Sequence, residues 1–242
     1  MCIIMNEIRE GGRTMVAMAN TGRYDKQFAT RSSFDGTVGQ CFGVAISIFF
    51  LIVFTLGLGT PWAICKFHRW RVSNLVIDGK KVVFYGRGRK LFWRYIGWSI
   101  LSILTLGFFA FRVPVKIMDW LMDRTHLERE EEQPQEPYYR NIYQSSAFCG
   151  VTMDYIRILI LQTILLIITL GFAMPWIICL WGRWYYDNMI IDGKQVVFAG
   201  KGKKLFWRYI LWSTLSVLTL GIWSFWMTVK ILRWKAEYTY FA

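Results

Sequence analysis

The residue types that perform most protein chemistry are few and scattered in this chain. It has two histidines, His68 beside a basic segment and His126 before an acidic run, and five cysteines. The cysteines share no spacing typical of a metal site, and the chain has neither a Gly-x-Ser-x-Gly nor a His-Glu-x-x-His motif. We interpret the two histidines as interfacial or solvated residues. The sequence therefore predicts no enzyme, no catalytic residue, no metal site and no cofactor.

Glycines alternating with Lys and Arg are a second candidate for chemistry. The segments "GRGRKLFWRY" and "GKGKKLFWRY" begin at Gly86 and Gly200. A phosphate-binding P-loop needs Ser or Thr after its Lys, and neither segment has one. Basic residues followed by aromatic ones instead favour an anchor at a membrane interface, with the cations on lipid phosphates. The predicted headgroup-binding residues are Arg87, Arg89, Lys90, Arg94, Lys201, Lys203, Lys204 and Arg208.

The elements that must position these residues are strongly apolar. Apolar residues make up 55% of the chain, and charges are missing from 36–65, 95–111, 158–182 and 209–229. A helix that crosses about 30 Å of hydrocarbon needs about 20 residues, whereas core helices of soluble proteins are shorter and keep a polar face. We therefore predict an all-α integral membrane protein with four transmembrane helices, at about 40–65, 93–115, 155–181 and 207–231.

The net charge of +13 is concentrated between the apolar segments. From Lys66 to Arg94 the chain carries nine basic residues and one acid, and from Arg183 to Arg208 it carries six basic residues and two acids. Cytoplasmic loops of membrane proteins collect Lys and Arg, so both segments are predicted to face the cytoplasm and anionic lipids. This placement argues against nucleic acid as a partner. The acidic stretch between them, "EREEEQPQEP", predicts a solvated linker.

The chain contains internal repeats, which divide it into domains. With a shift of 114 residues, 24 of the 35 positions from Leu75 to Phe109 are identical to their counterparts. A fainter repeat of 50 residues aligns Phe-x-Gly and Thr-Leu-Gly, so that the chain consists of four similar units. The predicted divisions are a polar N-terminal segment (1–33), a first membrane repeat (34–126), an acidic linker (127–147) and a second membrane repeat (148–242).

Thr-Leu-Gly recurs four times, and proline follows two of the copies. Glycine permits close helix packing or a bend, and proline removes a backbone donor, so we predict a kinked helix at each Thr-Leu-Gly-x-x-x-Pro. A discontinuous helix that lines a permeation or binding site is the alternative interpretation. The residues predicted to break or pack the helices are Gly57, Pro61, Gly107, Gly171, Pro175 and Gly221.

Asp-Gly lies between β-branched runs at Asp78 and again at Asp192. This dipeptide between such runs is a signal for a tight β-hairpin. We therefore predict a short cytoplasmic β-hairpin between the paired helices of each repeat.

Two arginines lie inside or beside the apolar segments. Arg112 occupies the position where the other units have tryptophan, and Arg157 lies near the start of the third segment. Intramembrane arginines are costly and often functional, which makes both residues candidates for a permeation or ion contact. The other interpretation is that both side chains reach the headgroups from helix ends.

The topology has two alternatives. If each unit crosses the membrane once, units one and two form an inverted repeat of the kind found in transporters, and this is the arrangement we predict. If each unit is instead a re-entrant hairpin folded at Thr-Leu-Gly, both termini and the linker stay on the cytoplasmic side.

The ordered motifs resemble a known family. Phe-x-Gly, then Thr-Leu-Gly with Pro-Trp, then Asn-x-x-Ile-Asp-Gly and Phe-x-Gly-x-Gly-x-x-Leu-Phe are similar to the YjgN-like family of bacterial inner-membrane proteins, a domain of unknown function. The resemblance covers about Phe34 to Trp234 and implies a multi-pass protein of the bacterial cytoplasmic membrane, with no implied activity. The second unit departs from the motif with Val113-Pro114, and the fourth with Phe225-Trp226.

Two functions follow from these predictions. The first is a small channel or transporter built from the repeats, which would form a homo-oligomer because four helices enclose little space. The second is a non-transporting membrane scaffold or envelope protein whose basic loops bind anionic lipid or an acidic partner. In both, the lipid bilayer is the main partner.

Overall fold

The structure is a computed structural model that describes residues 32–128 and 146–242. The first range holds β1 (Ser33–Phe34), α1 (Val38–Phe54), α2 (Thr60–Ser73), β2 (Leu75–Ile77), β3 (Lys80–Phe84), α3 (Gly88–Leu104), a 3₁₀ helix (Phe108–Arg112), α4 (Val113–Met122) and β4 (Thr125–Leu127). The second range holds β5 (Ala147–Phe148), α5 (Thr152–Thr169), α6 (Met174–Asp187), β6 (Met189–Ile191), β7 (Lys194–Phe198), α7 (Gly202–Leu218), α8 (Ser224–Glu237) and β8 (Thr239–Phe241).

The prediction of an all-α protein with four transmembrane helices is wrong. The described residues form eight α-helices and two antiparallel four-stranded sheets, ordered β1-β2-β3-β4 and β5-β6-β7-β8. Each apolar segment that was predicted to be one spanning helix is two helices joined at Thr-Leu-Gly. By length and composition, one described helix could cross a membrane: Thr152–Thr169, whose mean hydropathy is 1.6.

The sheets show that each pair of helices turns back on itself. β1 and β2 are antiparallel neighbours, with Ser33 opposite Val76 and Phe34 opposite Leu75, although α1 and α2 lie between them in the chain. The same holds for β3 with β4, β5 with β6, and β7 with β8. A chain that leaves a sheet and returns to the neighbouring strand cannot end at the far side of a bilayer. The four units are therefore helical hairpins, and the single-crossing topology is wrong.

The Asp-Gly turns are the β-hairpins that the sequence predicts. β2 pairs with β3 around Asp78-Gly79, and β6 pairs with β7 around Asp192-Gly193. Both residues of each turn have positive φ, 48° and 77° in the first and 47° and 76° in the second. Positive φ at both central residues defines the type I′ turn that matches strand twist, so the two predicted β-hairpins are confirmed, while their cytoplasmic location stays a prediction.

The turn between the two helices of each hairpin is a Schellman-type helix end. In the first hairpin the Gly57 amide donates to the Ile52 carbonyl (2.9 Å) and the Leu56 amide to the Val53 carbonyl (3.2 Å). The Thr55 hydroxyl donates to the Leu51 carbonyl. It also accepts from the amide four residues later, and the threonine does so in all four hairpins. Thr-Leu-Gly thus ends one helix and positions the next.

The two halves contact each other through helices and sheets. Helix α8 packs against α1 and β1, and α4 packs against β5 and β6. The carboxylates of the two hairpin aspartates also join the sheets: the Phe241 amide donates to Asp78 and the Leu127 amide donates to Asp192, both at 2.8 Å. The four hairpins are thereby held side by side around the two sheets.

The hydrophobic core lies between the sheets and the adjacent ends of the helices. In the first half Ile77, Leu91 and Trp120 are almost fully buried, and Ile191, Leu205 and Trp234 occupy the same places in the second half. In the described residues, the helix ends near Thr-Leu-Gly contribute little to this core and carry large exposed apolar side chains. The molecule therefore has one packed end and one exposed apolar end.

Candidate functional site

The most exposed apolar residues lie at the ends of the four helical hairpins. Each Thr-Leu-Gly presents its leucine outward, and the exposed fractions are 94% for Leu56, 91% for Leu106, 87% for Leu170 and 95% for Leu220. We call these four residues the tip leucines. They are accompanied by exposed Phe54, Ile103, Leu104, Phe108, Ile167, Ile168, Phe172, Val217, Leu218 and Ile222. Soluble monomers rarely expose contiguous apolar patches of more than a few hundred Å².

The tip leucines also have an unfavourable backbone conformation. Their φ angles lie between 49° and 50°, in the left-handed region that glycine and asparagine tolerate best. A non-glycine residue pays about 1–2 kcal/mol for that conformation. A leucine at this position is therefore unfavourable in water both for its backbone and for its exposed side chain. Four such leucines are expected only where the apolar side chain meets an apolar environment.

The predicted headgroup-binding residues lie where the hairpins leave the sheets. Arg87 and Lys201 immediately precede the first residues of α3 and α7, and the other six residues lie within the first two turns of these helices. We call this set the basic collar: Arg87, Arg89, Lys90, Arg94, Lys201, Lys203, Lys204 and Arg208. Most of these side chains are exposed.

The electrostatics at the start of α3 and α7 favour an anion. Neither helix has an acid in its first turn or a side-chain cap at its first amides. A helix N-terminus carries a partial positive charge, so clustered Lys and Arg add repulsion there unless an anion is present. Exposed Trp93 and Trp207 lie on the same helices at the depth of the collar. Tryptophan is typical of the boundary between an apolar and a wet phase.

The predicted helix-breaking residues lie in the turns that separate the helices and in the first turns of the helices that follow. Gly57, Gly107, Gly171 and Gly221 have φ near 90° in the turns, where glycine is favoured. Pro61 and Pro175 lie in the first turn of α2 and α6, where a missing amide costs nothing. The predicted kinks are therefore wrong, because each helix ends before the proline and a new one begins there.

The two candidate permeation arginines occupy separate places. Arg112 is exposed at the end of the 3₁₀ helix. Arg157 is exposed in α5 and pairs with Asp154 in the preceding turn, at 3.4 Å. The described contacts give neither residue a role in an enclosed site.

His68 differs from the prediction that both histidines are interfacial or solvated. His68 is buried, with its ring against Phe84 (centroids 4.8 Å apart) and its Nε2 3.2 Å from the Thr125 hydroxyl. Burial, together with nearby Arg71, lowers the pKa of His68 to about 3. His126 is part-buried and pairs with the Asp192 carboxylate at 2.8 Å, across the two halves. Among the described residues, no three His, Cys, Asp or Glu side chains form a group that could hold a metal ion.

A partly buried carboxyl group, that of Asp187, lies at the end of α6. Burial raises the pKa of Asp187 to about 6, although an accepted hydrogen bond from the Phe198 amide and the nearby Arg183 act in the other direction. His68 and Asp187 both lie beside the sheets, and the apolar tips lie at the opposite end of the hairpins. His68 and Asp187 therefore bear on stability and not on the exposed surface.

Two grooves were missed by the sequence reasoning. One lies between the first and second hairpins, with a volume of about 910 Å³, and extends from Phe54 and Leu58 past Trp62 to Lys66 and Arg69. The other has a volume of about 600 Å³ and is lined by ten residues, each of which lies 114 positions after a residue that lines the first groove. The signal was present in the repeat, because Trp62 and Arg69 align with Trp176 and Arg183.

Comparison with known proteins finds that part of the chain is similar to a bacterial family. Residues 144–212 match the family described as "Bacterial protein of unknown function (DUF898)". The YjgN-like resemblance is consistent with this match. No curated protein and no solved structure matches the chain.

The matched segment contains a complete hairpin and half of the next. It runs from just before β5 through the third helical hairpin and the second β-hairpin to Trp212 in α7. It includes Leu170 among the tip leucines and the second half of the basic collar. The family match thus covers one copy of the tip, the collar and the groove.

Proposed function

We propose that this protein is a bacterial membrane protein that inserts four helical hairpins into one side of the bilayer and binds anionic lipid headgroups with its basic collar. The observation that carries the proposal is the set of four tip leucines, which combine strained backbone with nearly complete exposure. This function develops the membrane scaffold hypothesis. It does not require any helix to cross the bilayer.

The spacing of charges supports insertion to a defined depth. On seven of the helices, the charged residue nearest the tip leucine of the same hairpin lies 10 to 13 residues from that leucine in the sequence. The eighth helix, α1, has no charged residue, and Arg112 in the 3₁₀ helix lies closer to its tip. At 1.5 Å per residue, a separation of 10 to 13 residues is about 15–20 Å. Half of a hydrocarbon core is about 15 Å thick. The charges concerned are Lys66, Arg94, Lys116, Arg157, Arg183, Arg208 and Lys230.

Insertion to this depth gives each part of the surface a matching environment. The tip leucines reach the region near the bilayer midplane, and the basic collar with Trp93 and Trp207 lies at the headgroups. The sheets and the Asp-Gly turns then remain in water. Arg112, six residues from Leu106, reaches the headgroups through its long side chain. The positive-inside rule assigns the collar to the cytoplasmic face of the inner membrane.

The transport hypothesis stays a prediction. The repeats and the glycine breaks motivated it, and its two candidate contact residues, Arg112 and Arg157, are exposed and lie on different hairpins. The features described above favour lipid binding, because the exposed apolar and basic surfaces both have a lipid counterpart.

A liposome flotation experiment tests headgroup binding. Replacement of Arg87, Arg89 and Lys90 by glutamine should weaken binding to liposomes with phosphatidylglycerol and leave binding to neutral phosphatidylcholine liposomes nearly unchanged. Each cation near an anionic surface contributes about 1 kcal/mol, so the loss should be about 3 kcal/mol at low salt. The second-half variant at Lys201, Lys203 and Lys204 should behave alike.

The chain offers a matched control for this experiment. Lys80, Lys81 and Lys194 are exposed and lie at the turn ends of the β-hairpins, away from the helices. Their replacement by glutamine removes the same number of charges and should change binding little. Equal losses in the collar and control variants would show that only net charge matters, and would contradict a collar at the headgroups.

A further inference from the structure

Each half of the protein has an amphipathic groove that runs along its hairpins. In the first half the groove is apolar near the tip, at Phe54 and Leu58, and basic near the sheet, at Lys66 and Arg69. The distance along α2 from the tip to Arg69 is about 20 Å, from 13 residues at 1.5 Å each. The groove volumes of about 910 and 600 Å³ lie within the range of small-molecule sites.

The wall of the groove is built by tight packing of a tryptophan. A Cβ added at Gly88 would lie 2.6 Å from Cδ1 of Trp62, and one added at Gly202 would lie 2.9 Å from Cδ1 of Trp176. The two helices therefore approach closely at this point. Trp62 is also held by Phe92, with ring centroids 5.0 Å apart. The groove is thus shaped by fixed aromatic groups, and the same packing recurs in the second half.

The basic end of the first groove contains an arginine whose position is fixed by the fold. One Nη2 hydrogen bond ties Arg69 to the Gly86 carbonyl at 2.8 Å, and the guanidinium lies 5.9 Å from the centre of the Phe84 ring. Arg69 and Lys66 are both exposed, and neither belongs to an ion pair within the described residues. In the described groove lining there is no carboxylate. A fixed arginine with a lysine nearby and no acid complements an anion.

We propose that each groove binds one phospholipid with an anionic headgroup, its phosphate at the arginine and its acyl chain directed along the groove toward the hairpin tip. This inference rests on the proposed membrane insertion and adds a specific binding site to it. The charge order of the groove determines the ligand class, because an inserted hairpin presents cations at headgroup depth and apolar side chains at acyl-chain depth.

The two grooves are unequal, which makes the proposal testable with the protein's own residues. Lys66 in the first groove aligns with Leu180 in the second, while Arg69 aligns with Arg183. The first groove therefore has one additional cation and should bind the anionic lipid more tightly. Lys66→Leu copies the second groove into the first, and Leu180→Lys does the reverse, so both variants place residues that the same fold already accommodates.

Native mass spectrometry of the delipidated full chain in neutral detergent measures the binding. Phosphatidylglycerol is titrated into wild type, Lys66→Leu and Leu180→Lys, with phosphatidylcholine as the control lipid. One cation is worth about 1 kcal/mol, which is about fivefold in dissociation constant. Lys66→Leu should weaken the tighter site about fivefold, and Leu180→Lys should strengthen the weaker site by a similar factor. Soluble glycerol phosphate should not compete, because it lacks the acyl chain.

The outcomes separate this inference from the proposed function. If wild type floats with liposomes but both variants bind phosphatidylglycerol as wild type does, the grooves are not the lipid site and insertion still stands. Equal affinity of wild type for the two lipids, or competition by glycerol phosphate, would overturn the inference in the same way. If wild type does not float with liposomes, the proposed function fails and the groove proposal fails with it. Thermal unfolding of both variants verifies that they fold.

Discussion

Replacing the four tip leucines by asparagine should detach the protein from membranes without unfolding it. Asparagine tolerates φ near 50° better than leucine does, so each replacement of Leu56, Leu106, Leu170 and Leu220 should relieve up to about 1 kcal/mol of backbone strain. All four side chains are at least 87% exposed, so no packing is lost within the protein. In water the variant should therefore be at least as stable as wild type.

The same replacement should weaken membrane binding, although it does not destabilise the protein in water. Full burial of a leucine side chain stabilises by about 2 kcal/mol, so four inserted leucines contribute about 8 kcal/mol to membrane binding. Insertion of the asparagine amides adds a further cost. The assay is flotation with neutral liposomes at high salt, where screening reduces the contribution of the basic collar. Wild type should float, and the asparagine variant should remain in the dense fraction.

A methionine variant at the same four positions is the matched control. Methionine keeps the apolar character of leucine and has no advantage at positive φ, so this variant should float as wild type does. The result that would refute the reasoning is flotation of the asparagine variant to the same extent as wild type. Loss of flotation in the methionine variant would also refute it, because side-chain apolarity would then not be the cause.

Three further predictions concern topology and pH. A single cysteine at Gln135, which lies outside the described residues, should react with an impermeant thiol reagent only after lysis; labelling in intact cells would contradict hairpin insertion from the cytoplasm. Because His68 has a pKa of about 3 when folded and about 6.5 when unfolded, its contribution to stability is complete above pH 6.5 and decreases as the pH falls. Unfolding in urea should show about 2 kcal/mol less stability from this residue at pH 5, and His68→Met should remove that part of the pH dependence. The pH dependence of stability from Asp187 has the opposite sign to that from His68. The folded pKa of Asp187, about 6, exceeds its ordinary value, so its ionisation destabilises the fold as the pH rises. Asp187→Asn keeps an acceptor for the Phe198 amide. It should raise the free energy of unfolding by up to about 3 kcal/mol at pH 7.5 and by about half of that at pH 5. A change that does not depend on pH would contradict a raised pKa of Asp187.

Local features of the fold were predictable from the sequence because they depend on neighbouring residues. The Asp-Gly β-hairpins follow from the type I′ turn at Asp78 and Asp192. The sequence also singled out Thr-Leu-Gly, although it predicted a kink where the structure has a turn. The reason is that the residue types alone do not show whether the glycine of Thr-Leu-Gly lies in a Schellman turn, with the leucine in the left-handed conformation, or in a continuous helix packed closely against another.

The topology depended on tertiary structure. A stretch of about 30 apolar residues can cross a bilayer once or fold into a hairpin, and hydropathy does not distinguish the two. The pairing of Phe34 with Leu75 shows that the first unit is a hairpin, because it brings the two ends of that unit to neighbouring strands. The two-residue and three-residue strands involved are too short to be recognised by periodicity.

What the sequence by itself determined is the composition of each local segment: apolar helices, basic segments at the starts of α3 and α7, tight Asp-Gly turns and a repeated order of motifs. These follow from turn chemistry, charge and hydropathy, which act between near neighbours. The tertiary structure decided where those segments lie relative to one another, including the pairing of His126 with Asp192 and the grooves beside Arg69 and Arg183. Such contacts join residues far apart in the chain, and only the packing of the sheets and hairpins brings them together.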